Sequence, residues 1–376
     1  MKNLKSLSLI FSFILTTTLY SQSHSHISAQ KKISYPDIDG YQTLSSDLHI
    51  HTVFSDGNVW PTIRVQEALL EDLDVIAMTE HLEYQPHQKD LPHPDRNRSY
   101  EIALKEAASH NLIVIPGSEI TRSAPVGHNN AIFISDANPL LDKEDPKTSF
   151  NEAKKQGAFV FWNHPAWYRQ SSKGIPIFSD FQQKMIQQGK LHGVEVINEG
   201  AYSEEAFALA LEEGLTVLGN SDVHDLIGWD YLDKHQTHRP ITLIFSKDKE
   251  LKSIKEALFE GRTVAVFNNF WVGKEEFVIP LLKNSLSVEN PHYLDQSEVL
   301  ELTLINHSSS DLLLENQMPY SFYFNPRVFT VPAMGSITLQ IKTLEQLERI
   351  ELKFKALKAY TAPKDQAVVS WEVTVD

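Results

Sequence analysis

Short apolar runs that close on polar residues recur along the first three quarters of the chain, alternating with stretches of helical period. In Asp47-Leu48-His49-Ile50-His51, apolar and polar positions alternate, so both imidazoles share one side of a short strand. Strands are expected at 45–51, 74–79, 112–116, 131–134, 158–162, 193–198, 215–219, 240–245 and 263–268. Helices are expected from Pro61, which suits a first helical turn, through Leu70, and at 99–110, 148–156, 178–189, 203–213 and 248–260. A long His- and Pro-rich loop, 82–97, has the length of a lid or binding loop. Strand–helix alternation of this kind predicts an α/β domain, a distorted (β/α)7 TIM-like barrel over residues 45–275. From about residue 285 the texture changes. Val299–Ile305, Phe322–Phe324, Ser336–Ile341 and Val368–Val373 read as antiparallel strands with alternating faces. They predict a small all-β, sandwich-like accessory domain over 285–376, of the immunoglobulin-like kind.

The N-terminus changes the picture of where the chain works. Lys2 and Lys5 precede the apolar stretch Leu7–Leu19, and Ser21 is small, as in a secretory signal peptide spanning residues 1–21. The stretch is too short for a membrane span. Residues 22–44, with His24 and His26, read as a flexible lead-in. There is no cysteine, which excludes disulfides, a cysteine nucleophile and thiolate ligands. An exported protein, periplasmic or secreted, is expected. The formal charge of -15 speaks against long nucleic acid, which calls for a basic surface.

Position carries the chemistry. His49, His51, His81, Glu119, His164, Asp222 and His224 each lie at or just past the end of an apolar run. In a parallel barrel those ends share one face, where sites are built. Asp56-Gly57 turns the chain back toward the first histidine pair. Histidines and carboxylates gathered in this way suit divalent metals of the borderline N/O class, among which zinc, manganese and iron are not distinguished.

These residues also resemble a known family. Asp47-Leu48-His49-Ile50-His51 with Ser55-Asp56-Gly57, Thr79-Glu80-His81, Gly117-Ser118-Glu119, Gly127-His128, Asn163-His164-Pro165 and Ser221-Asp222-Val223-His224 are similar, in order and spacing, to the polymerase-and-histidinol-phosphatase (PHP) superfamily. The resemblance covers roughly residues 44–270. It implies a distorted barrel with two or three divalent metals that hydrolyse phosphoesters by way of a metal-bridged hydroxide. His49, His51, Glu119 and Asp222 would hold one metal, with Glu119 bridging. Asp56, His81 and His224 would hold a second, and Glu119, His128 and His164 a third. Asp222, His224, Glu119 and Glu80 would stand nearest the reaction, although many members carry Asp where this chain has Glu80.

A small phosphorylated substrate, monoester or diester, is the expected partner. Arg122 and Arg169, each just past a strand end, are the cations best placed for its phosphate, with Arg96 and Arg98 behind them. Asn198 is a further candidate substrate contact. Amidohydrolase-like cleavage of an amide or lactone on the same metals is the alternative chemistry, since the same activated water serves both. A barrel that only binds metal or ligand is a third possibility, disfavoured by so full a ligand set.

Overall fold

The computed structural model describes residues 32–232 and 237–375. The expected signal peptide, 1–21, lies outside these residues, as do His24 and His26.

Three strands start the barrel side by side and parallel: β1 (Gln42–Ile50), β2 (Val75–Met78) and β3 (Ile113–Ile120). Helices α1 (Pro61–Leu70) and α2 (Arg98–Ala107) connect them. β4 (Asn129–Ile132) follows β3 without a helix and pairs with it antiparallel, Glu119 opposite Asn130. β5 (Phe159–Trp162), preceded by α3 (Pro146–Lys155), is antiparallel to β4 and so runs with β3 again. Next come α4 (Asp180–Gln187) and β6 (Gly193–Asn198), which carries a short antiparallel return, β7 (Ala201–Tyr202). α5 (Glu204–Glu212) leads to β8 (Thr216–Asn220), parallel to β6. β9 (Ile241–Ser246) lies antiparallel on the free side of β1. After α6 (Leu251–Phe259), β10 (Thr263–Phe267) pairs antiparallel with β9. The reversed β4 and β9 are what distort the expected barrel.

Threonine hydroxyls help close the seam between β8 and the β9–β10 pair. The Thr242 hydroxyl accepts from the Gly219 N–H at 2.9 Å and lies 2.8 Å from the Gly219 carbonyl, while Thr263 donates to the Val217 carbonyl at 2.7 Å. Gly219 is needed here, because a Cβ would stand 2.9 Å from that of Ala265 and 3.1 Å from the Ile241 carbonyl. Strand after strand contributes to one buried cluster, Leu44, Leu48, Val75, Phe159, Phe161 and Leu218 among them. Burial of such side chains, at about 1.5–3 kcal/mol each, is the main force holding the scaffold under the site.

The C-terminal region extends the barrel's sheet. β11 (Phe270–Gly273) forms a hairpin with β10, and α7 (Glu275–Asn284) follows. A three-stranded antiparallel sheet is made of β12 (Leu286–Tyr293), β13 (Val299–Asn306) and β16 (Ser336–Lys342). β14 (Leu312–Asn316), β15 (Val328–Val331), β17 (Arg349–Ala362) and β18 (Asp365–Thr374) pair antiparallel beside it. β17 also pairs parallel with β11, Trp271 opposite Ala359 and Val272 opposite Tyr360, so one sheet runs from the barrel into the C-terminal strands. The expected strand at Phe322–Phe324 is instead loop, with one bridge from Phe322 to Ile341. Tyr323 and Phe324 are exposed, so no packed face holds the segment extended. α7 escapes sequence reading because Pro280 sits inside it, where proline normally breaks a helix. Its buried Phe277, Val278, Leu281 and Leu282 hold it in place.

The lead-in is ordered from residue 32 onward. Ile33 and Ile38 are buried, and the Ile33 N–H donates to the Glu71 carbonyl at 2.8 Å. The Ser34 N–H donates to Ser309 Oγ at 2.7 Å, and Tyr35 Oη lies 2.7 Å from Ser310 Oγ. This segment therefore straps the barrel to the C-terminal strands, contrary to the flexible lead-in expected. Its apolar Ile33, Tyr35 and Ile38 are the reason.

Candidate metal centre

β1 carries His49, with His51 just past its end, and a register shift between Asp47 and Ile50 breaks its pairing with β2 there. The turn after it is held by the Ser55 and Gly57 N–H groups, both donating to the Thr52 carbonyl at 3.0 Å. A Cβ on Gly57 would lie 2.8 Å from His51 backbone carbon, so only glycine lets the turn fold back this tightly. Asp56 is thereby brought to His51, His81 and His224. β3 supplies Glu119, and its hairpin with β4 returns His128, whose Nδ1 stands 3.0 Å from Glu119 Oε1. His164 and Asp222 follow β5 and β8, both with left-handed backbone, φ 29° and 53°.

All nine metal-ligand candidates, His49, His51, Asp56, His81, Glu119, His128, His164, Asp222 and His224, fall into overlapping groups whose ligand atoms lie within 4.8 Å of one another. Asp222 Oδ1 is 3.1 Å from Nε2 of both His49 and His51, and its Oδ2 is 3.5 Å from His164 Nε2. Asp56 faces His224 Nε2 at 3.1 Å and His81 Nε2 at 3.3 Å. The two Glu119 oxygens face different neighbours. Oε1 looks to His49, His128 and His164; Oε2 looks to His51 and His81. The groups share members more than expected: His51 also joins Asp56, His81 and His224, and His49 joins Glu119 and His164.

The outer hydrogen bonds say what the inner nitrogens are. Carboxylates and carbonyls only accept, so His49 Nδ1 donates to Glu195 Oε1 at 2.9 Å and His224 Nδ1 donates to the Asp222 carbonyl at 2.7 Å. Ser55 Oγ spends its proton on Glu80 Oε2 at 2.5 Å, so it accepts from His51 Nδ1 at 3.1 Å. Each of the three Nε2 atoms then presents a lone pair to a carboxylate. His49 and His51 Nε2 stand only 3.1 Å apart, and Asp56 Oδ1 and Glu119 Oε2 are buried without a hydrogen-bond partner. A cluster made of acceptors needs a cation, and the donor set fits divalent metals of the zinc, manganese or iron type.

Without such a cation, protons take its place. Burial would lower His49, but Asp222 and Glu195 outweigh it and lift it to about 10. His224 is likewise lifted to about 9 against burial, by Asp56 and Asp222. His51 drops to about 3 through burial and its neighbours His224 and His81. Glu119 and Asp222 are held well below the carboxylate range despite burial, chiefly by His81 and by His49 respectively.

Several expected residues sit elsewhere. Glu80 is buried on the 52–55 turn, accepting from Thr52 N–H, Thr52 Oγ1 and Ser55 Oγ. It reaches the cluster through Ser55 and His51. Arg122 pairs with Glu83 at 2.9 Å and donates to the Lys143 carbonyl. Arg169 is exposed and lies over the Trp167 and Tyr168 rings. Arg96 donates to the Leu82 carbonyl, and Arg98 pairs with Glu101. Carboxylates and carbonyls closer than the cluster have claimed the guanidinium groups of Arg122, Arg96 and Arg98. Asn198 donates to Glu195 Oε2 at 2.9 Å and lies 3.5 Å from Asp222 Oδ2, supporting the ligands from behind.

Glu195 was missed. It is buried on β6, where it accepts from His49 Nδ1, His164 N–H, Asn198 Nδ2 and Asn220 Nδ2. A lone carboxylate inside the apolar run Gly193–Ile197 was the available signal, since an ion buried there needs partners. Such a carboxylate behind a histidine fixes its tautomer and raises its basicity. Glu195→Gln is expected to lower metal affinity about 10–100-fold while keeping the fold. Competition titration against a fluorescent chelator, with circular dichroism as the control, measures this; unchanged affinity would count against it.

An Ig-like domain family, DUF5001, matches residues 286–372. The chain superposes on a two-domain protein from Bacteroides vulgatus that contains a predicted PHP-like metal-dependent phosphoesterase. The TM-score is 0.84 at 36% identity, covering 92% of this chain and 99% of that one. A proposed metal-dependent phosphoesterase from Bifidobacterium adolescentis matches at 16% identity and TM-score 0.38, over 48% of this chain and 87% of that one. An amidohydrolase from Chromobacterium violaceum matches at 16% and 0.37 over the same shares. Likeness at that level supports nothing further. No curated protein matches the sequence.

Proposed function

Because the chain belongs to the PHP family, with an Ig-like domain at its C-terminal end, we propose that it is an exported metal-dependent hydrolase of phosphoester bonds in a small substrate. The observation that carries this reading is the convergence of acceptors. Histidine lone pairs and buried carboxylates face one another, with no lysine or arginine among the described residues within ion-pair distance of Asp56, Glu119 or Asp222.

In this reading His49, His51 and Asp222 would hold one ion, Asp56, His81 and His224 a second, and His128 and His164 a third, with Glu119 as a further ligand. Divalent ions held there lower the pKa of water to near neutrality and neutralise the charge that develops on phosphate oxygens. The protein's own part is preorganisation. Glu195 fixes His49, the Asp222 carbonyl fixes His224, and Glu80 with Ser55 fixes His51. Asn163 donates to Glu119 Oε1 at 2.8 Å and holds that carboxylate in the centre. With Arg122 paired to Glu83, Arg98 to Glu101 and Arg96 donating to the Leu82 carbonyl, most of the phosphate charge would fall to the metals, and Arg169 is left without an acidic partner among the described residues.

Hydrolysis of p-nitrophenyl phosphate and bis-p-nitrophenyl phosphate by the purified chain, with metal content from mass spectrometry, tests the proposal. Two or three metals per chain with turnover of either compound is the expected result. Bound metals with turnover only of an amide or a lactone would replace it.

Proton competition gives a second expectation. With His49 at about 10 and His224 at about 9 in the absence of a cation, both are protonated near neutral pH. A metal must displace those protons, so its apparent affinity rises with pH. The slope between about pH 6 and 8 should approach tenfold per displaced proton per unit. Calorimetry in buffers of different ionisation enthalpy counts the protons released; a pH-independent affinity would contradict the assignment.

A further inference from the structure

Two unlike cavities open on the metal centre. One, about 380 Å³, is walled by Glu199, Asp225, Asp230 and Tyr231 and runs over Asp222 and His224. The other, about 110 Å³, borders His164 and is walled mainly by Pro165, Trp167, Val196, Ala201 and Tyr202. Glu199 lines both and marks where they meet. They flank the ligands on different sides, one acidic and one largely apolar.

The apolar cavity is built by local structure. β7 turns back on β6, with Tyr202 opposite Ile197, and this sets the Tyr202 ring against Phe270 at 4.8 Å. Trp167 follows His164 in a turn closed by its N–H on the His164 carbonyl at 2.9 Å. Its ring stands edge-on to His164 and His128, with centroids 5.2 and 5.8 Å away. The Tyr202 hydroxyl is enclosed and has no hydrogen-bond partner. A neutral phenol without an acceptor beside an aromatic wall suits a ligand that brings both a ring and an oxygen.

We propose that the substrate is a phosphodiester of two different alcohols. An aryl or short apolar arm enters the Trp167–Tyr202 cavity, and a hydroxylated or cationic arm enters the Glu199–Asp225 cavity. This deepens the phosphoesterase reading and rests on it. A monoester has one arm and would leave one cavity unused. Its second negative charge would also lie beside Glu199 and Asp225, while Arg122 is held by Glu83. A diester carries one negative charge and fills both sides. In the reaction, water oxygen bonds to phosphorus and one phosphorus–ester oxygen bond breaks. That alcohol leaves with a proton from the water, and a phosphomonoester remains.

The test uses p-nitrophenyl phosphorylcholine, which has one aryl and one cationic arm, beside p-nitrophenyl phosphate, on the metal-loaded full chain. We expect kcat/KM to favour the diester by at least about tenfold, the scale of burying one ring. Calorimetry with the non-hydrolysable methyl(phenyl)phosphinate and dimethylphosphinate isolates the apolar arm. The phenyl compound should bind about tenfold more tightly, and the advantage should vanish in Trp167→Ala. Ala201→Phe, at an exposed position, fills the cavity without removing a packed side chain and should abolish the same advantage. Preference for the monoester, or a phenyl advantage untouched by both variants, would overturn the inference and leave the phosphoesterase reading standing. No phosphoester turnover with metals bound would overturn both.

Discussion

Asp222→Ala is expected to lower phosphoesterase kcat/KM by at least about 10³-fold and to release at least one metal per chain. Among the described residues no other carboxylate comes so close to both Nε2 atoms, its Oδ1 lying 3.1 Å from each while Glu119 stands 3.6 and 3.7 Å away. Its second oxygen reaches His164 at 3.5 Å. Removing it leaves the two nitrogens facing each other with only the more distant Glu119 to hold a cation against them. Its backbone is left-handed, φ 53°, which alanine tolerates less well than aspartate or asparagine. Asp222→Asn is therefore the control that keeps the backbone and removes the charge. It should lose metal and activity nearly as far, with the fold kept by circular dichroism. Full activity with full metal content in either variant would remove Asp222 from the centre.

Trp271→Ala is expected to cost about 3–5 kcal/mol, the usual range for truncating a large buried aromatic. Total stabilities of about 5–15 kcal/mol make that a large share. Trp271 is 1% exposed on β11, at the point where the barrel's sheet passes into β17. Its indole N–H donates to Ser310 Oγ at 2.9 Å, and Tyr35 packs edge-on against it at 5.7 Å. Barrel, lead-in and C-terminal strands thus meet at one ring. Because the sheet is continuous, calorimetry should show one unfolding transition, displaced by about 5–12 °C in the variant. Separate transitions for barrel and C-terminal region would contradict a single cooperative unit.

The centre was legible in the sequence because its chemistry sits at strand ends. An apolar run announces a strand, and His81, Glu119, His164 and Asp222 stand where such runs stop. Geometry then follows from the barrel. Residues that act through others were harder to see. Glu195 lies inside its strand and looks like an interruption, while Asn198 and Glu80 read as substrate or reaction groups although they hold ligands. The arginines were read by position, which says nothing about partners: Arg122 pairs with Glu83 at 2.9 Å. In the C-terminal region Val299–Ile305 and Ser336–Ile341 alternate clearly and were found. The pairing of β17 with β11 was not, since register between distant strands leaves no local mark. The aromatic cluster Phe322–Phe324 imitated a strand by composition alone.

The strap formed by Ile33, Ser34 and Tyr35 also sets a timetable. Ser34 and Ser309 are separated by 275 positions, so these early residues wait for nearly the whole chain before finding their partners. Contacts of such long separation form late and slowly. The native state is thus completed only after synthesis has all but ended, when Ser309 and Ser310 are available to Ser34 and Tyr35.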